Sequence, residues 1–271
     1  MIPSSMSRDR FDRSKRPYVL AFETSGATGS VALGCAGKIL SAKTFSRPRA
    51  HAAEFLPTID DLCRRHGVNP HDVGCVYVSS GPGSFTGLRI AVTAARTIAF
   101  ATGALVVGVP TLEVIAQNAA EASPQPTEVA VLLDAKRGRF FAATFRLEPN
   151  AEALAERGRE EKSPPRYVST SDPSEVEPEF FLAATGNACA VIGEGIAYHR
   201  ECVDASNRRI LPEGLYRPRA EIVFRLGDER ALRDDFDNPR TLTPLYIRPP
   251  EAEEVWARRH EPTTGSTGST G

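Results

Sequence analysis

The stretch SSGPGSFTGLRIAVTAARTIAFATG, residues 79–103, decides how this chain folds. The apolar run Gly74–Val78 before it reads as a strand, which opens into a glycine-rich turn at Gly81, Pro82, Gly83 and Gly87. The turn feeds a helix predicted over Thr86–Thr102, and a short strand at Leu105–Val109 follows. A glycine turn at a helix start gathers unpaired backbone N–H groups that suit a phosphate. Gly81, Gly83, Ser84 and Gly87 are therefore candidate cofactor-binding residues. The helix itself puts Ala91, Ala94, Ala95, Ile98, Ala99 and Thr102 on one broad face, where small side chains admit the close approach of another helix. Internal packing against a neighbouring helix is the competing use of that face. The turn is not a Walker A loop, because Leu88 and Arg89 stand where Lys and Ser or Thr are needed. Nor is it a nucleophile elbow, since Ser84 lies between Gly83 and Phe85.

Working outward, two segments read strand–acid–glycine turn–strand, the pattern of a β-hairpin. Tyr18–Phe22 leads into Glu23, a Thr-Ser-Gly-Ala-Thr-Gly turn and the strand Ser30–Leu33. Far downstream, Val129–Leu133 ends in Asp134, and a Lys-Arg-Gly turn precedes the strand Phe140–Phe145. Two such hairpins suggest a duplicated architecture with a cleft between lobes. Glu23 and Asp134 then form a pair that a magnesium ion or a water near a phosphate would use, although each alone reads as a turn-capping acid.

Helices are predicted over Arg49–His66, with Phe55, Leu56, Ile59, Leu62 and Cys63 on one face, over Pro110–Ala122 and over Arg219–Leu232. Short strands are predicted at Ala188–Ile192 and Thr243–Ile247. The polar segment Glu148–Pro178 reads as a loop or a partly disordered insertion. The lobes are expected at 17–108 and 109–259, between a basic extension (1–16) and a Thr-Gly-Ser tail (260–271), both expected to be disordered.

The 33 Lys and Arg against 34 Asp and Glu give a net charge of −1, which excludes a broad basic surface for nucleic acid and leaves a local patch open. Five cysteines without a Cys-x-x-Cys pair suggest neither a zinc site nor a disulfide framework, so a cytoplasmic protein is expected. The N-terminal charges are not followed by a signal-peptide core, and the apolar run 97–109 is too short to span a membrane. The histidines at 51, 66, 71, 199 and 260 form no helical metal-binding pair, and no catalytic triad is legible from spacing.

Gly81–Ile90, together with Leu20–Ser25, His51–Pro57, Gly108–Leu112, Asp134–Gly138 and Pro244–Arg248, resembles the TsaB (YeaZ) family from about Tyr18 to Arg259. The resemblance implies a two-lobed α/β fold of the actin, hexokinase and Hsp70 superfamily, with ribonuclease H-like lobes. It also implies a non-catalytic partner of TsaD, the subunit that makes threonylcarbamoyladenosine beside the anticodon of tRNAs. TsaE is expected to complete the assembly, tRNA to be met through the complex, and a homodimer to form without the partner. The chain itself is expected to need no cofactor, with ATP or ADP bound at the level of the complex. In the family two N-lobe helices pair with their counterparts in TsaD, which places Phe55, Ile59, Leu88, Ala91, Ala94, Ala95, Ile98 and Ala99 at the expected interface. Glu23 stands where the family usually has Asp, and Ala91 where it usually has Gly. The alternative is a nucleotide-dependent phosphotransferase of the same superfamily that uses Glu23 and Asp134. A peptidase, a third reading, finds no nucleophile or metal set.

Overall fold

The computed structural model describes residues 16–148 and 165–246. The basic extension up to residue 15, residues 149–164 of the polar segment, Arg248 of the last family motif and the Thr-Gly-Ser tail lie outside the described residues.

The first sheet contains β1 (Tyr18–Glu23), β2 (Ser30–Cys35), β3 (Lys38–Thr44), β4 (Val73–Gly81) and β5 (Leu105–Pro110) in the order β3-β2-β1-β4-β5. β1 pairs antiparallel with β2 and parallel with β4, and Glu23 faces Ser30 at the hairpin end. Helices α1 (His51–Arg65) and α2 (Phe85–Thr102) supply the crossovers. α2 starts at Ser84, whose hydroxyl caps it, and stops at Gly103, which takes the left-handed conformation (φ 74°) that ends helices.

The second sheet repeats the device. β6 (Glu128–Asp134) pairs antiparallel with β7 (Phe140–Glu148), Asp134 facing Phe140, and parallel with β10 (Ala190–Ile192). α3 (Thr111–Asn118) leads into it, and β8 (Arg166–Ser169) and β9 (Ser174–Val176) extend it along β7. Short helices α4 (Pro178–Ala184), α5 (Gly195–Tyr198) and α6 (Arg200–Ala205) follow, and then α7 (Ala220–Ala231). The strand order and the repeated hairpin with a parallel neighbour give the two-lobed, actin-like α/β fold.

Three expectations need correction, and one strand was not predicted. β3 is an edge strand whose two large apolar residues, Ile39 and Leu40, are adjacent and exposed rather than alternating. β8 and β9 lie within the segment expected to be a loop, and they are held by pairing to β7 rather than by their own hydrophobicity. Thr243–Tyr246 is not a strand, and Pro244 has no N–H to give to a ladder. α7, grouped by sequence order with the second lobe, packs against β1, β2, β4 and β5 of the first. Two glycines let it settle there, since a Cβ on Gly34 would lie 2.2 Å from the Phe224 ring and one on Gly227 2.4 Å from Tyr77. Alternate residues of the first sheet therefore feed two cores: Phe22, Val76 and Val78 face α1 and α2, while Ala21, Cys75 and Tyr77 face α7.

Candidate functional site

The two hairpin ends and the surface of α1 and α2 are the places where chemistry or recognition was expected. At the first turn, Glu23 is fully buried. Its Oε1 accepts from the backbone N–H of Ser25 (2.6 Å) and from the Ser25 hydroxyl, while Oε2 is buried without a hydrogen-bond partner. Burial pushes its pKa above the ordinary carboxylate value, against weaker opposite pulls from the Ser25 and Ser79 hydroxyls. Ser79 and Thr111, both buried, hydrogen-bond to each other at 2.9 Å.

The glycine turn closes over this hairpin. A Cβ on Gly83 would stand 2.5 Å from the Ser25 carbonyl oxygen, and one on Gly87 1.9 Å from that of Thr24. Ser84 N–H donates to the Ser25 carbonyl (2.7 Å), and the Thr24 hydroxyl donates to the Gly87 carbonyl (2.7 Å). Gly87 N–H donates to the Ser84 hydroxyl at 3.2 Å. His51 Nε2 lies 3.1 Å from the carbonyls of both Thr24 and Gly26, so this nitrogen carries the proton and donates. Gly81 takes φ 111°, and its Cβ position is 3.0 Å from the Leu245 carbonyl. Gly81, Gly83 and Gly87 thus make room for the neighbouring backbone, Ser84 caps α2, and the amides of Ser84 and Gly87 are used internally.

The second turn is built differently. Lys136, Arg137 and Gly138 all have positive φ (66°, 54° and 75°). Lys136 donates its backbone N–H to Asp134 Oδ1 (2.8 Å) and its ammonium to Oδ2, and the ammonium also lies 4.9 Å from the centre of the Tyr198 ring. The hydrogen bond with Asp134 raises the Lys136 pKa, and burial raises that of nearby Glu194. No hydrogen bond or ion pair joins Glu23 to Asp134 among the described residues. Nor do three or more His, Cys, Asp or Glu side chains gather there to hold a metal ion.

The expected interface residues divide. Phe55, Leu88, Ala91, Ala95 and Ala99 are buried in the core under α1 and α2. The small residues at 91, 95 and 99 bring α2 close to its own sheet, so the face expected to meet a partner points inward. Leu88 and Val92, buried beside them, carried that signal in the sequence. Ile59, Ala94 and Ile98 are half-buried at the margin of this core, together with Ile90. Leu56 on α1 (65% exposed) and Phe100 on α2 (89%) stand in solvent, and neither was expected there. Leu56, Ile59 and Cys63 also line an open groove of about 640 Å³ along α1. No described helix is long and apolar enough to cross a membrane.

The family model described as "TsaD: tRNA N6-adenosine threonylcarbamoyltransferase" matches residues 38–256. A tRNA threonylcarbamoyladenosine biosynthesis protein TsaB of Bacillus subtilis is 24% identical over 241 residues, covering 88% of this chain and 97% of its own. The Escherichia coli TsaB is 32% identical over 132 residues, 49% of this chain and 56% of its own. Among solved structures, YeaZ from Pseudomonas aeruginosa superposes with a TM-score of 0.69 at 27% identity, covering 85% of this chain and 99% of its own.

Proposed function

The chain belongs to the TsaD family, as a member of its TsaB (YeaZ) group, and on that premise we propose that it is a non-catalytic partner subunit in making threonylcarbamoyladenosine in tRNA. The observation that carries this reading is the fate of the two acids. A phosphotransferase needs a carboxylate free to meet a metal or a water. Glu23 is sealed beneath the glycine turn, and Asp134 is neutralised by Lys136 two residues away.

The surface offered to a TsaD-type subunit is the seam between α1 and α2. At 100° per residue, Leu56 and Ile59 lie on the flank of α1 that faces α2, while Ile90, Ala94, Ile98 and Ala101 form the matching flank of α2. An apolar two-helix seam of this kind suits a second helix pair. TsaE and the tRNA join the same assembly, nucleotide is held at the level of the complex, and the subunit works in the cytoplasm. Without its partner, the seam pairs with a second copy of the chain.

Co-purification with a TsaD-type subunit tests the reading. Leu56→Arg combined with Ala101→Arg, both at exposed positions, is expected to weaken assembly at least tenfold with an unchanged melting temperature, because unpaired charge enters an apolar seam. Failure of the unaltered chain to associate, together with steady ATP turnover lost in Asp134→Ala, would overturn it in favour of the phosphotransferase.

A further inference from the structure

The opposite flank of α2 has a different chemistry. Residues 236–246 run back along this helix as a strap. Asp237 bridges to Val106 on the edge strand β5 and accepts from Gly108 N–H at 2.7 Å. Arg96 donates to the carbonyls of Arg240 (3.1 Å) and Leu242 (3.4 Å), and Leu245 N–H donates to the Ser80 carbonyl (2.7 Å). At the far end the Arg89 guanidinium lies 3.8 Å from the centre of the Phe85 ring and donates to the Tyr246 hydroxyl (3.0 Å). The Tyr246 and Phe85 rings are 5.4 Å apart, tilted by 38°.

Phe85, Leu245 and Tyr246 are each 37–41% exposed, and Arg89, Arg96 and Arg240 are exposed as well. α2 contains no Asp or Glu, and neither do residues 238–246. Asp237, the carboxylate of the strap, is occupied by Gly108 and by Arg230, 3.7 Å away. None of the three arginines meets a carboxylate among the described residues. Arg89 and Arg96, seven residues apart, lie on one flank with about 10 Å between them along the axis.

We propose that this strap flank, Phe85, Arg89, Arg96, Arg240 and Tyr246, is an RNA-contact surface that takes an unpaired nucleobase on its arginine–aromatic layer and phosphates on its arginines. Exposed planar rings and guanidinium groups beside positive charge without acid are what single-stranded RNA recognition uses. The charge is local, so it accords with a chain of net charge −1. The surface lies across α2 from the seam that faces α1, so one helix addresses protein on one side and RNA on the other. This rests on the tRNA-modification reading above.

The test is a fluorescence-anisotropy titration of a labelled tRNA with the assembled complex, and with the chain alone, over a series of salt concentrations. Arg89→Ala and Tyr246→Ala are each expected to weaken binding about tenfold with assembly intact. Arg89→Ala should also lower the salt slope by about 1. Arg89→Lys should keep the slope and lose part of the affinity, because the charge stays and the planar group goes. If Tyr246→Ala loosens the strap and lowers the melting temperature, Arg89→Lys decides, since it leaves the strap's backbone hydrogen bonds in place. Unchanged affinity and slope in the arginine variants overturn the proposal. So does lost assembly with unchanged RNA affinity, which would make this a protein-docking surface. If the unaltered chain never assembles, the proposed function fails, and the titration of the chain alone still reads the RNA surface.

Discussion

The two hairpin turns share one backbone plan and have been put to different uses. At the first, the acid is buried, no cation among the described residues pairs with it, and a helix start presses on the turn so closely that Gly83 and Gly87 have no space for a side chain. At the second, the acid, with its side chain 7% exposed, meets its own solvent-exposed lysine, and Gly138 has nothing within 4 Å of its Cβ position. Gly83 and Gly87 are required for space and Gly138 for a left-handed backbone. Repetition of a frame therefore does not preserve the chemistry at its corners. The first corner has become a packing joint between β1, α1 and α2, and the second a solvated turn.

The largest expected effect breaks the joint. Gly87→Ala drives a methyl into the Thr24 carbonyl and should cost about 3 kcal/mol or more. For a chain of this size that corresponds to a fall of about 10 °C in melting temperature, read by calorimetry. Gly138→Ala meets no atom and should cost only the left-handed backbone, about 1 kcal/mol, or about 3 °C. Equal losses at the two positions would erase the comparison.

Glu23→Gln comes next, and its effect depends on pH. The fold holds the Glu23 pKa above its ordinary value of 4.5, so the folded chain keeps the proton longer than the unfolded one. Below pH 4.5 both states are protonated and nothing is lost. As pH rises from there through the raised pKa, the unfolded state gives up its proton first and the parent protein loses stability. The glutamine variant has no such loss, so the gap in melting temperature should move in its favour as pH rises to neutrality. A gap independent of pH would show that Glu23 is accommodated as an ordinary carboxylate. The smallest effect belongs to Lys136→Met. The lysine side chain is 71% exposed, although that of Asp134 is only 7% exposed, so losing the pair should cost about 1 kcal/mol.

Both hairpins, their terminal acids and the β4–α2–β5 unit were legible because each is local: apolar runs end at acids and glycines within a few residues. What escaped depended on distant partners. β8 and β9 exist because β7 offers an edge, and α7 returns to the first sheet because Gly34 and Gly227 leave room for Phe224 and Tyr77. The alanines of α2 misled for a related reason. Small residues signal close approach without saying to what, and here the near neighbour is the chain's own sheet. At the candidate site, the sequence marked Glu23 and Asp134 as a pair. It could not show that one would be covered by the turn at Gly83–Gly87 and the other matched by Lys136.

The central claim is that neither acid does chemistry and that the chain acts through its partner. Threonylcarbamoyl transfer to tRNA, measured with the complex reconstituted around Glu23→Gln/Asp134→Asn, tests it most directly. Both replacements keep the side-chain shape while removing the carboxylates, and Asp134→Asn gives up the acceptor for the Lys136 ammonium. The transfer rate is expected to stay within about twofold of the parent, whereas a catalytic acid or base contributes about 10²–10⁴-fold. A loss of that size, with assembly and folding intact, would contradict the account.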